Sequence, residues 1–562
     1  MHFHPPGQKE LNGSITERQC RLNFKPSSTQ SIKGADELPI ACITVSNLMH
    51  FQHLKMLYHI FIFVLGFSTI NCQEPDIDYS DNDAKILILG GGRGGLHAAE
   101  ILLDNEITDF IILEGESEPG GLEKLINFDG IQLESGFQWA YPPLKSTLDD
   151  LNIQYHESNY DSYVVRNDLG QVVTKAFNEG FDRYYAAKEV VDEIARDSLK
   201  GKRLDVAQKV GLYVGGLKGY EPIEGAVEWY EIEFEYGKPS KDISIVGPYE
   251  QDFGSESQYY ITDRNKGLFG RALEALDSDH LRLNKLVRNV NQTEERVVVT
   301  TADGSQYTAD YVLVTFSIGV LQRGNVTFTP ELPAWKTEQI CRFQRGTLDP
   351  IFLKFPYKFW ENEEWIIHAG NKSGRYPVFM NAQAEGLFTF SNNILIGFVA
   401  GDEAIRVEEL SNQDLKEEIL QVLRSMYSDE TVPEPQELYM ERWGLNPFHY
   451  GTQSTWPIPA NVPTDSLRQL NAHVGRTFFA NDAAHDEFLG TTAATVLSSE
   501  ISIAQIIGCL AGDDCIDIEY RYRPKHYWYE DEKVLYGCVK MAKMDGKARK
   551  ERVNVAENIV LP

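Results

Sequence analysis

Between residues 84 and 114 the apolar positions change period twice. Lys85-Ile-Leu-Ile-Leu89 is an almost unbroken apolar run of strand length, and Leu96-His-Ala-Ala-Glu-Ile-Leu-Leu103 places its apolar residues at helical spacing. Phe110-Ile-Ile-Leu113 is a second short run, ending at Glu114. Short runs without polar alternation predict strands covered on both faces, as in a parallel sheet, so the pattern reads strand, helix, strand. Farther on, the end of the stretch Glu228, Glu231, Glu233, Glu235 reads as strand-like, with Glu231, Glu233 and Glu235 on one face by alternation.

The turn between the first strand and the helix carries the chemistry. Gly90-Gly-Gly-Arg-Gly-Gly95 fits G-x-G-x-x-G through Gly90, Gly92 and Gly95. Gly90 permits the tight turn, Gly92 lets the backbone approach a pyrophosphate, and Gly95 lets helix and strand pack closely. The helix N-terminus presents free N–H groups and a partial positive charge to phosphates. Glu114, at the end of the second strand, is placed to accept hydrogen bonds from a ribose diol. With strands, helix and acid in register, the segment is read as a nucleotide-binding unit.

After Glu114 the chain continues into a second glycine pair, Gly120-Gly121, instead of another crossover helix. Here the sequence resembles the flavin-dependent amine oxidases, most closely the plant-type polyamine oxidases, from about residue 84 to 515. The resemblance is carried by Gly130-Ile-Gln-Leu-Glu-Ser-Gly136 with Trp139, Trp229-Tyr-Glu-Ile-Glu-Phe-Glu-Tyr236, Leu281-Arg-Leu-Asn-Lys-Leu-Val287 and Ala309-Asp-Tyr-Val-Leu-Val314. Ile351-Phe-Leu-Lys-Phe-Pro356, Arg442-Trp443, Thr455-Trp-Pro457 and Phe478-Phe-Ala-Asn-Asp482 complete it. It implies an α/β fold, with a Rossmann-like FAD-binding domain interleaved with a substrate domain of sheet and helices. The expected FAD segments are 84–162, 253–330 and 446–518, and the expected substrate segments 163–252 and 331–445.

The resemblance also implies roles for single positions. Val287 falls where the family contacts adenine through its backbone, and Asp482 where the family usually keeps Glu on the flavin side. Thr491 and Thr492 open the last helix toward the flavin, and Trp139 and Trp456 match tryptophans near it. Glu235 matches a carboxylate that faces the polyamine, flanked by Phe234 and Tyr236. The implied chemistry is oxidation of a carbon beside an amine nitrogen, with dioxygen as acceptor, hydrogen peroxide as product and FAD held noncovalently.

Several positions depart from the family pattern. The second substrate-facing Glu falls on Tyr141, and the lysine that holds a water against the flavin falls on Pro350. A family tyrosine falls on Leu348, an aromatic wall on Thr491, and the pyrophosphate arginine after the paired glycines on Leu122. Proline has no donor to hold a water, and the nearby Arg342 and Arg345 cannot shuttle protons because guanidinium does not deprotonate. Two readings of different classes follow: an amine oxidase with an altered pocket, or a flavin-fold protein that binds cofactor or ligand without efficient polyamine oxidation.

Composition adjusts this picture at its edges. The 562 residues hold 53 Lys and Arg against 83 Asp and Glu, a net charge of −30, which disfavours nucleic acid as a partner and suits a cationic ligand. Residues 1–55 carry six basic and four acidic side chains and no periodicity, so the acidity belongs to the body of the chain. Met56-Leu-Tyr-His-Ile-Phe-Ile-Phe-Val-Leu-Gly-Phe67 followed by Ser68-Thr-Ile-Asn-Cys72 reads as a signal peptide over 56–72, or from Met49. Residues 1–55 are then expected to be an untranslated leader; the alternative is an uncleaved signal anchor. Sequons at Asn291, Asn325 and Asn371 agree with a secreted protein, and Cys509 and Cys515 could close a small disulfide loop. No cysteine or histidine spacing suits a metal, so none is expected. The tail 519–562 lies beyond the resemblance.

Overall fold

The computed structural model describes residues 82–512, apart from 137, 203, 251–257, 264–269, 277–278, 389–392, 461–462 and 486–487. The leader, the signal segment and the tail therefore lie outside the described residues. So does Cys515, although Cys509 is itself disulfide-bonded.

The strand–helix–strand pattern forms as Asp83–Leu89, Arg93–Asp104 and Phe110–Leu113. Asp83–Leu89 is central in an eight-stranded sheet, parallel to Phe110–Leu113 on one side and to Gln306–Val314 on the other. Its side chains alternate between two cores. Ile86 and Ile88 pack with Leu96, Ala99 and Ile503 on one face, while Leu87 and Leu89 pack with Val290, Val299 and Phe479 on the other. That two-sided burial is why the run shows no polar alternation. The last helix, Thr492–Leu510, contributes Ile503 and Ile506 to the same face as Arg93–Asp104. The other strands of the sheet come from 281–329 and 477–479.

A second, six-stranded sheet runs in the order Glu437–Met440, Leu348–Lys354, Ile394–Ala400, Val378–Asn381, Trp365–Ala369, Tyr163–Asn167. Helices Gly401–Glu408 and Asn412–Met426 share a buried cluster with one face through Ala404, Val407, Leu415 and Ile419. The opposite face joins a cluster that includes residues of the long helix Thr174–Leu199. Pro350 lies inside Leu348–Lys354, paired with Phe398, while pairing to the outer strand begins only at Ile351. A proline fits there because that edge of the strand asks for no N–H at residue 350. A short ribbon, Gln344–Gly346 against Gln453–Thr455, links the stretches that form the two sheets.

The acidic stretch before Gly237 is not a strand. Pro222–Glu228 is α-helical, Trp229–Glu233 is π-helical and Phe234–Tyr236 adds a last helical turn, stopped by Gly237 at φ +62°. Residues rich in aromatic and branched side chains suit either state, and burial decides. The buried pair is Trp229 and Ile232, three apart, which is helical spacing; strand alternation would have grouped Ile232 with Tyr230 and Phe234. The carboxylates accordingly diverge: Glu228 meets Lys209, Glu231 accepts from Tyr185, and Glu235 accepts from Tyr141.

Candidate cofactor and substrate site

The glycine turn, the Gly120-Gly121 turn and the last helix converge on one cavity of about 480 Å³. Of the residues singled out in the sequence, Gly90, Gly92, Glu114, Gly120, Gly121, Leu122, Val287, Asp482, Thr491 and Thr492 line it. Gly90 takes φ +115°, which side-chain-bearing residues rarely adopt, and a Cβ there would lie 2.5 Å from Thr315 Oγ1. A Cβ at Gly95 would sit 2.0 Å from the Gly90 carbonyl oxygen, so this glycine serves packing and not the cavity. Gly92 is different. Its backbone is extended and a Cβ would meet the protein only at 3.7 Å or more. Protein packing does not explain a glycine here; open space for a group lying against the backbone does.

Glu114 is buried, and it accepts from the Gly91 and Glu116 N–H groups at 2.6 and 2.7 Å. Burial raises its carboxyl above the usual range, against the pull of those two N–H donors. Burial would also raise neighbouring Glu116, but the His449 imidazole, 3.5 Å from its carboxylate, outweighs it and lowers the pKa. At the other end, Thr491 caps the last helix by accepting from Ala494 N–H, and Thr492 is its first residue. Asp482 accepts from Arg345 at 2.5 Å and from the Ser454 N–H and hydroxyl at 2.7 and 3.0 Å. The ribbon strand Gln344–Gly346 thus carries Arg345 into the cavity wall. Arg93, Glu116, Arg345 and His449 were not assigned to this cavity from the sequence. Arg93 sits inside the glycine run and could have been found there, whereas Arg345 and His449 are distant in sequence and only folding brings them in.

Trp139 and Trp456, expected beside the cofactor, do not line this cavity. Trp456 is fully buried and fills the space over Gly247, where a Cβ would come within 2.2 Å of its ring. Trp139 belongs to an aromatic cluster, edge-on to Phe234 at 5.8 Å and stacked near Trp365 at 6.3 Å. The expected substrate residues gather around that cluster. Tyr141 donates to Glu235 Oε1 at 2.7 Å, and Phe234, Tyr236 and Leu348 pack on the same core. The two positions expected to hold opposed carboxylates therefore touch directly. Burial raises the Glu235 carboxyl above its ordinary range, while hydrogen bonds from Tyr141 and Gln258 oppose the rise. Thr491, also expected in the substrate wall, lines the cofactor cavity.

Beside Pro350 lies a buried acid pair. Asp349 is fully buried beside the buried Glu408, and two like charges out of water favour a proton on one of them. Burial and the Glu408 charge raise Asp349 well above the usual carboxylate range. A carboxyl whose folded pKa is raised contributes most below its unfolded pKa, and that contribution is lost as pH rises. Asp349→Asn, which needs no proton to be neutral, is expected to narrow the stability loss as pH rises above the ordinary carboxylate range. Thermal unfolding of both proteins across that rise checks this, and identical pH profiles would refute it.

A sheet with parallel central strands, a glycine turn, a cavity beside that turn and paired glycines opposite define a dinucleotide-binding fold. A profile of the family described as flavin containing amine oxidoreductase matches residues 245–507. Polyamine oxidase 1 of Zea mays is 30% identical over 476 residues, covering 77% of this chain and 92% of the relative. Polyamine oxidase 6 of Oryza sativa subsp. japonica is 28% identical, covering 80% of this chain and 96% of its own. The chain superposes on putrescine oxidase bound to putrescine with a TM-score of 0.62, at 19% identity, covering 76% of this chain and 99% of that one. The chain belongs to the flavin-containing amine oxidase family, and its cofactor is FAD. The cavity fits that cofactor at Gly92, where open space meets bare backbone.

Proposed function

We propose that this protein is a secreted amine oxidase of the polyamine-oxidase type, with dioxygen as electron acceptor and hydrogen peroxide as product. When bound, noncovalent FAD supplies the acceptor for a hydride equivalent from the carbon beside the amine nitrogen. The chain's residues supply position and charge. Gly90, Gly92, Gly120, Gly121, Glu114 and Val287 would hold the nucleotide part, and Asp482, Thr491 and Thr492 the flavin part. Glu235 would receive a distal ammonium of the amine, beside the aromatic cluster of Trp139, Phe234 and Trp365. The observation that carries this reading is the cofactor cavity joined in one fold to a half-buried carboxylate, Glu235, held by Tyr141 beside an aromatic cluster. Secretion is part of the same reading, supported by the apolar segment 56–67 and by sequons of which Asn325 and Asn371 are exposed.

One contact favours a second reading, a cofactor-binding protein with little polyamine oxidation. Tyr141 occupies the partner position of Glu235 and already bonds it, and Pro350 offers no donor. A single preparation separates the two. Flavin absorbance reports loading, and peroxide release is followed with spermine, spermidine, their acetylated forms and simple monoamines. Peroxide from any of these supports oxidation; a yellow protein that yields none from any of them supports the second reading. Pro350→Lys is expected to raise peroxide release roughly tenfold or more, below the ~10²–10⁴ of an ideally placed proton-transfer group. No increase in a yellow, folded variant would show that this position does not limit the rate.

A further inference from the structure

Arg93 is the first residue of the helix after the glycine turn, is 6% exposed and lines the cofactor cavity. Two carboxylates face its guanidinium: Glu100 of the same helix at 3.7 Å and Glu123, from the loop after Gly121, at 4.0 Å. Glu123 is 3% exposed, lines the same cavity, and neither of its carboxylate oxygens accepts a hydrogen bond. Its neighbour Leu122, also in the wall, brings no charge. The other deeply buried cation of this wall, Arg345, is committed to Asp482 at the far end. Arg93 thus stands at the one place in the wall where a glycine turn, a helix N-terminus and a buried cation coincide. Glu123, a buried carboxyl with no protein donor, carries as a carboxylate the wrong charge to face a diphosphate.

We propose that Arg93 is the cation that binds the cofactor's phosphates, and that Glu123 is a counter-charge neutralised by proton uptake when FAD binds. With the cavity empty, Arg93 balances Glu123 and Glu100. With FAD bound, the diphosphate takes the guanidinium, and one proton from solvent neutralises the Glu123 carboxylate. The surroundings make this proton exchange accessible near neutrality. Burial, the largest influence, raises Glu123 to about 7, with Glu100 adding to the rise and Arg93 and His97 opposing it. His97 itself bonds Glu100 and, from the last helix, Glu500. From the loop, Lys124 is directed away to Glu441, and Glu134 accepts the Lys124 N–H. FAD affinity is therefore highest at low pH and falls as pH rises through neutrality.

The inference rests on FAD as cofactor and is independent of any amine. Full-length protein stripped of flavin is titrated with FAD by fluorescence at pH 6 and 8.5, with circular dichroism confirming the fold of each variant. Arg93→Met is expected to weaken binding by at least about tenfold, with Arg93→Lys recovering part of it. Glu123→Gln is expected to match the wild type at pH 6, bind more tightly than it at pH 8.5, and lose the pH dependence. An Arg93→Met affinity within about twofold of wild type overturns the role of Arg93. A pH dependence that survives Glu123→Gln belongs to another group, such as His97 or Glu114, and overturns the role of Glu123. Should Arg93→Met not fold, the Glu123→Gln titration decides alone. A wild-type chain that binds no FAD at either pH overturns the cofactor assignment as well, so the two failures are distinguishable.

Discussion

Gly92→Val yields a folded protein without flavin, whereas Gly95→Ala yields an unstable one. Both residues belong to one motif, yet they answer to different neighbours. At Gly92 the backbone is at φ −79° and ψ −175°, open to any residue, and a Cβ meets only ordinary contacts. The added methyls enter the cavity where the cofactor backbone contact belongs, so FAD binding falls by at least roughly a hundredfold, or ~2.7 kcal/mol. At Gly95 a Cβ would stand 2.0 Å from the Gly90 oxygen and 3.0 Å from Ile88 Cγ2. Both are held by the central strand, so the helix must move off the sheet, at a cost of about 3 kcal/mol or more. Flavin absorbance after gel filtration and thermal unfolding of the apo forms separate the two effects. A yellow Gly92→Val, or a Gly95→Ala as stable as wild type, would refute the assignment.

Glu235→Gln, the second large effect, lowers kcat/KM for a di- or polyamine by roughly 10- to 100-fold and leaves the flavin spectrum unchanged. The amide keeps the shape and the Tyr141 contact but loses the charge that holds a distal ammonium, an interaction of about 1.5–3 kcal/mol. The pH profile carries an independent signature. Burial raises the Glu235 carboxyl above its ordinary 4.5, so capture of a cation falls off on acidification at a higher pH than for a surface glutamate. That acid limb should disappear in Glu235→Gln. A variant that keeps the limb, or the wild-type kcat/KM, would place the ammonium elsewhere.

The departures from the family pattern differ in weight once their surroundings are known. Leu122 removes a cation from one side of the cofactor cavity, but Arg93 supplies one from the helix opposite. Pro350 has no such replacement: its strand neighbour Asp349 turns into the acid pair with Glu408. Tyr141 is intermediate, since its hydroxyl engages Glu235 as a neutral donor where a second carboxylate would have repelled it.

How far the site was legible depended on the range of the interactions involved. Gly90 and Gly95 were readable because their requirements, a positive φ and a close helix–strand approach, are met within a few residues. Thr491 as a helix cap is equally local. The stretch Trp229–Tyr236 was misread because its side chains suit strand and helix alike, and packing of Trp229 and Ile232 chose the helix. Trp139 and Trp456 were placed by resemblance near the flavin; neither lines the cofactor cavity, Trp139 packing edge-on to Phe234 and Trp456 covering Gly247.

The sequence by itself determined the nucleotide-binding turn, the family and the cofactor, because a strand, a glycine turn and a helix contiguous in the chain fix that geometry locally. Tertiary structure alone decided what the glycine turn faces. Arg93, Glu123, His449 and Arg345 come from four separate segments, and their charges acquire meaning only at the 2.5–4.0 Å separations that folding imposes. Over such distances, and without water, Coulomb interactions and desolvation shift protons and bind anions; along the sequence the same residues are only charges.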